Sequence, residues 1–334
     1  MVTDAKRQAA EALLGALPLP ENEAGWAREA RARARTRLLE AGAPGRRDEY
    51  WRQTDPSRLT APLAPVGPSE EPPAEPVFFG EVNARLARFV NGYWRPDLSD
   101  TLPHDGLAAI PLREALGQDI GMARETFGAL EAAGQEKVER PLAALNTAAA
   151  EEGLVLHASA PVPDAVHIRQ DQIGEGASLL HHLVRVESGA ELTILESGVA
   201  GNTVIEVDVA PGGTLHHVRV QEGERMPSAT HVFARIGEGA TFKSFTLTAD
   251  GALTRNEVVI ELAGDSGSGH IGGAVLGKDA THADNTVFVT HTGQHCESRQ
   301  VFKNVLADTA KAIFQGKIFV RPGAQKTDGY QISQ

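Results

Sequence analysis

The chain has 334 residues, which at about 150 residues per domain leaves room for two domains and a large core. Its 32 Lys and Arg against 44 Asp and Glu give a net charge of −12, which argues against non-specific binding to nucleic acid or to an anionic membrane surface. A single cysteine, Cys296, excludes a disulfide framework and a multi-cysteine zinc or iron–sulfur site built from this chain alone.

Residues 1–76 read as an N-terminal helical region with a Pro-rich linker. The opening residues show no apolar segment of secretory type, and no stretch approaches the roughly 18 to 20 apolar residues of a membrane span, so the cytoplasm is the expected compartment. A helix is predicted over Gly25–Ala41, ended by Gly42 and Pro44. Its Arg28, Arg31, Arg35 and Arg37 are expected to form a solvated basic face, given the acidic chain around them. From Thr60 to Pro76 the composition predicts an extended, semi-rigid linker.

Residues 77–153 form a mixed lead-in. Asn91-Gly92 between apolar residues predicts a hairpin. Pro111–Gly117 and Val138–Glu152 read as short helices.

Residues 154–334 change texture. Period-two alternation dominates; in VIEVDVA it sets Val204, Val207 and Val209 against Glu206 and Asp208. The strands are separated by glycine-centred turns, and Gly189, Gly213, Gly239 and Gly264 follow one another at a nearly even spacing. A near-constant period without helical periodicity predicts a mainly β fold, a parallel β-helix (β-solenoid). A Greek-key sandwich or jelly roll uses similar short strands, but its turns need not keep one spacing. The final segment reads as strand and turn up to Gln334, so a C-terminal cap is expected to be missing. An uncapped end also allows two copies to pair edge to edge.

Ten of the twelve histidines lie from His167 onward. The pairs His181-His182 and His216-His217 put one ring on each face of a strand. His291, His295 and Cys296 spell H-x-x-x-H-C, the chain's one weak candidate for a metal site. Along a strand the two histidines stand about 13 Å apart and converge only across a turn, so Cys296 reads better as a small buried hydrophobe. Phosphate-loop, nucleophile-elbow and zinc-protease signatures are absent, and Gly264–Gly269 lacks the following lysine and helix, so it reads as a turn. No catalytic or cofactor-binding residue is assigned. The competing reading is a β-helical carbohydrate-active enzyme, a polysaccharide lyase or hydrolase. It lacks aromatic platforms, because Trp26, Trp51 and Trp94 all precede the solenoid.

Several segments carry a likeness to a known family. They are Gly42–Asp55, with its G-x-P and Tyr50-Trp51-Arg52-Gln53-Thr54; Phe89-Val90-Asn91-Gly92; Pro141–Asn146; Phe302-Lys303-Asn304-Val305-Leu306; Phe314–Val320; and Ala324-Gln325-Lys326-Thr327-Asp328. Together they resemble the SufB/SufD family of iron–sulfur cluster assembly subunits over nearly the whole chain, and the N-terminal segment is nearer to the SufD branch. The resemblance implies a right-handed parallel β-helix that is a non-catalytic scaffold and takes part in iron acquisition or cluster assembly. It implies pairing with a SufB-like paralogue through the β-helix, and iron or an iron–sulfur cluster handled at that interface. It also implies a SufC-like ATPase, reached through a C-terminal region that has no counterpart up to Gln334. The lone cysteine suits a subunit that shares ligands with a partner.

Overall fold

A computed structural model describes residues 2–69, 78–198, 201–222, 226–249 and 251–334. Residues 70–76 of the Pro-rich stretch lie outside the described residues. The chain opens with α1 (Asp4–Gly15), whose first turn is capped by the Thr3 hydroxyl accepting from the Lys6 N–H. Next comes α2 (Gly25–Ala41), with the predicted bounds, stopped by Gly42 at φ 71°. The hairpin joins β1 (Ala84–Val90) to β2 (Tyr93–Trp94) through Asn91 and Gly92, both left-handed.

After β3 (Leu107–Pro111) come α3 (Leu112–Gly117), α4 (Gly121–Thr126), α5 (Ala129–Gly134) and α6 (Pro141–Ala149). The two predicted short helices are α3 and α6, the latter shorter than Val138–Glu152 because Pro141 opens it and residue 150 is already extended. Helices α4 and α5 are too short to show a helical period, which is why the sequence did not reveal them.

The solenoid strands are β4 (Leu154–Ala158), β5 (Ala165–Asp171), β6 (Leu179–Val186), β7 (Glu191–Gly198), β8 (Asn202–Val209), β9 (Thr214–Glu222) and β10 (Ser228–Ile236). They continue as β11 (Thr241–Ala249), β12 (Thr254–Leu262), β13 (Ser268–Gly277), β14 (His282–His291), β15 (Glu297–Leu306), β16 (Lys311–Val320) and β17 (Asp328–Ser333). From β4 onward each strand pairs in parallel with the strand two places later. Odd strands therefore stack into one sheet and even strands into another, which is a parallel β-solenoid and not a sandwich of antiparallel layers. The period drifts along the chain. Glu191 stands over Thr214 and Glu297 over Asp328, so the last coils are longer than the first.

Inward side chains of both sheets share one core that runs from Phe89 to Phe302. Val207 and Val209 face it as the alternation predicts. Val204 is a correction, because it faces outward and is buried against Ala143 of α6 and Phe233. The reason is the helical layer. Helices α1, α2 and α6 pack together, α3 and α4 pack on Val155 and Leu183, and the layer covers the outer face of the even-strand sheet.

Candidate functional site

The corners where even strands hand over to odd strands form a ladder. Gly189, Gly212, Gly239, Ser266, His295 and Lys326 occupy the same left-handed position in successive coils. From Gly212 on, each N–H donates to the next coil: Gly212 to Glu238 O, Gly239 to Asp265 O, Ser266 to Gln294 O and His295 to Gln325 O. His295 is therefore a turn residue with an exposed ring. Cys296 follows it in the small-residue position held by Ala190, Gly213, Ala240 and Gly267 in earlier coils, and its thiol donates to Gly264 O. Burial pushes that thiol up, away from the thiolate that would bind a metal. His291 points into the core, with Nε2 2.9 Å from Ser298 Oγ. The three residues of H-x-x-x-H-C are thus not gathered on one point. Among the described residues no group of three or more His, Cys, Asp or Glu is placed to hold a metal ion.

Two buried polar networks were not legible in the sequence. The first is inside the solenoid. Glu196 receives Arg219 Nε and Nη2 at 2.9 and 2.6 Å, His217 Nε2 at 2.6 Å and Gln170 Nε2 at 3.1 Å. Burial opposes its charge, but Arg219 and His217 hold the carboxyl well below the usual range. Burial keeps His217 neutral, so Nε2–H donates to Glu196 and Nδ1 accepts from Ser244. The histidine pairs split as expected. His182 and His217 face inward, and His216 is half-exposed. His181 faces outward yet is fully buried, because Asn146 of α6 lies 3.0 Å from its Nδ1 and Glu206 2.8 Å from its Nε2.

The second network fastens the helical layer to the even sheet. Glu206 accepts the N–H groups of Gly128 and Glu131 at the start of α5. Glu257 bridges Arg140 and Arg255, each at 2.7 Å. Burial alone would raise this carboxyl, but Arg255 and Arg140 hold it down to about 2. Arg255 continues to Asp284 at 2.5 Å and lies 3.9 Å over the Trp51 ring. Thr54 donates to Asp284 and lies 3.0 Å from His282 Nε2. The Trp51 and Thr54 segment is therefore a strap across β12 and β14.

The outer face of the odd sheet is different. The described helices pack on the even sheet, and the odd face carries an apolar stripe in register: Val218, Phe245, Gly272, Val301 and Ile332. Beside it lie Leu276 and Val305, which pair with each other. Exposure of 41 % for Phe245, 48 % for Leu276 and 68 % for Val305 is unusual for large apolar groups on a sheet. Among the described residues β16 and β17 each pair along one edge. The N–H groups of Asp328 and Gln334 donate to Cys296 O and Phe302 O on the β15 side, so by alternation that of Gln331 points away from β15. At the two ends of β16 the N–H groups of Lys311 and Arg321 donate to Thr281 O and His291 O on the β14 side, and by alternation that of Ile318 points away. Such a surface can take up another β element or an apolar face.

Comparison with known proteins agrees with this geometry. The family model described as the SufBD core domain of the SUF iron–sulfur cluster assembly system matches residues 168–334, half of the chain. The iron–sulfur cluster assembly protein SufD of Escherichia coli is 24 % identical over 303 residues, covering 87 % of this chain and 69 % of that protein. An iron–sulfur cluster assembly SufBD family protein of Synechocystis is 24 % identical over 365 residues, covering 98 % of this chain and 72 % of its own. One of Mycobacterium bovis is 24 % identical over 174 residues, 48 % of this chain and 44 % of its own. A stacked-coil core, a matched core domain and relatives that span nearly all of the sequence lead to one conclusion: the chain belongs to the SufB/SufD family of iron–sulfur cluster assembly proteins.

Proposed function

We propose that the protein is a non-catalytic scaffold subunit of cytoplasmic iron–sulfur cluster assembly, on the SufD side of the family. It pairs with a SufB-like paralogue through its β-helix, and a SufC-like ATPase supplies the nucleotide chemistry. Iron or the growing cluster is the cargo, handled where the two β-helices meet.

One observation carries this reading. The solenoid covers one sheet with its own helices, while the other sheet carries, in its later coils, an exposed apolar stripe that includes Phe245 and Val301. The continuous core inside the coils supports that face from behind, which suits a platform. No described helix is long and apolar enough to cross a membrane.

The test is co-expression with a SufB-like and a SufC-like protein, followed by purification on a tag on this chain. A stable complex that reconstitutes clusters is expected. Phe245→Asp with Val301→Asp should abolish capture of the paralogue while the melting temperature of the isolated chain holds. Failure of the unmodified chain to capture either protein would overturn the reading.

A further inference from the structure

The helical layer does not cover the even sheet completely. Beyond α5 it leaves a cavity of about 460 Å³ against β10, β12, β14 and β16. That volume is in the range of small-molecule sites, about 300 to 1,000 Å³. Its floor is a register row, Phe233, Val259 and Phe288, continued by Lys317 on β16; Phe319 stands beside it. The wall is the 134–140 connector. Gly134 is so close to Phe233 that a Cβ there would come within 2.3 Å of the ring. Arg140 holds the connector from inside, donating to Gly134 O at 2.8 Å and Val138 O at 2.9 Å. The wall is therefore pre-formed.

The charge at the mouth opposes that of the chain. Arg140 and Arg235 are neutralised from behind by Glu257 and Asp208. Arg321 and Lys137 share one carboxylate, Glu136, at 3.1 and 3.4 Å. Glu261 accepts from Thr292. Lys317 has no carboxylate within ion-pair distance among the described residues. Its ammonium lies 5.9 Å from the Phe288 ring centre, and that of Lys137 lies 4.7 Å from Phe319. The balance of free charge is positive on a protein of net charge −12. Two ammonium groups held over an aromatic floor suit a ligand with an apolar body and an anionic end.

We propose that this cavity is a binding site for a small amphipathic anion: a body of one or two rings carrying a carboxylate, sulfonate or phosphate. The ring packs on Phe233, Phe288 and Phe319, and the anion sits between Lys137 and Lys317. The site lies on the opposite sheet from the exposed apolar stripe and is independent of the assembly role.

The probes are 8-anilinonaphthalene-1-sulfonate and its uncharged relative N-phenyl-1-naphthylamine, titrated by fluorescence on the whole chain. One sulfonate probe should bind per chain. Lys137→Glu with Lys317→Glu should weaken the sulfonate by about tenfold or more and leave the uncharged probe within about twofold, the signature of a charge contact. Thr290→Trp fills the floor and should abolish both, which keeps the proposal testable if the double variant fails to fold. Several weak sites that ignore Thr290→Trp would overturn it, as would no binding, or equal loss of both probes on charge reversal.

Discussion

The first and last coils use the same strand grammar and end in opposite situations. On β6 to β12 the outward residues His181, Glu206, His231 and Glu257 are buried, because helices lie over them. On β15 to β17 the outward residues, Val301, Val305 and Tyr330 among them, are exposed. The difference is a matter of cover and not of alternation. Where a helical layer excludes water, every outward charge must find a partner, and Glu206, Glu257 and Asp284 do so with His181, Arg140, Arg255 and Thr54. Where no described element covers the sheet, ion pairs such as Glu297 with Arg299 are exposed, and apolar side chains are left for another surface.

The sharpest way to break the comparison is to remove a charge from each region. Glu257→Ala leaves Arg140 and Arg255 buried without their carboxylate and should cost about 3–5 kcal/mol in urea unfolding. Glu297→Ala in the last coils should leave the midpoint unchanged. Equal effects would mean that the helical layer does not seal the sheet.

Acid should act on the covered region next. Burial lowers His182 and His231 from 6.5 to about 4. Both are neutral when folded, and His182 Nδ1 accepts the Leu154 N–H, which a protonated ring could not do. Below pH 6.5 the unfolded chain takes protons that the folded chain refuses. The stability present above that pH is thus lost between about 6.5 and 4, by about 3 kcal/mol for each ring. His231→Gln should flatten the slope by about one proton; an unchanged slope would place its charge state elsewhere.

A smaller effect tests the strap. Thr54→Val removes the hydroxyl from buried Asp284 and should cost about 1.5–3 kcal/mol, the range for a hydrogen bond to a charged group. The smallest effect on stability falls on β17. Gln331→Pro deletes an N–H that no described strand receives, so the melting temperature should hold while capture of the SufB-like paralogue is lost. A fall in melting temperature with capture intact would show that the edge serves the fold alone.

The local pattern determined the repeating part of this protein. Period-two alternation with glycine turns at a near-constant spacing specifies stacked coils, because each coil buries its apolar face only against the next. The Asn91-Gly92 hairpin and the Gly25–Ala41 helix follow from backbone chemistry alone. The H-x-x-x-H-C run was also readable as structure. His295 and Cys296 fall where earlier coils have glycine or serine and then a small residue, so aligning the turns would have shown that they sit at a corner of the coil. Only the tertiary structure decided which outward positions are dry. Val204, His181 and Glu206 carry no local mark that separates them from the solvated residues of β15, since the helices that cover them lie far earlier in the chain. Burial by a distant element depends on docking, and docking leaves no period in the strand it covers.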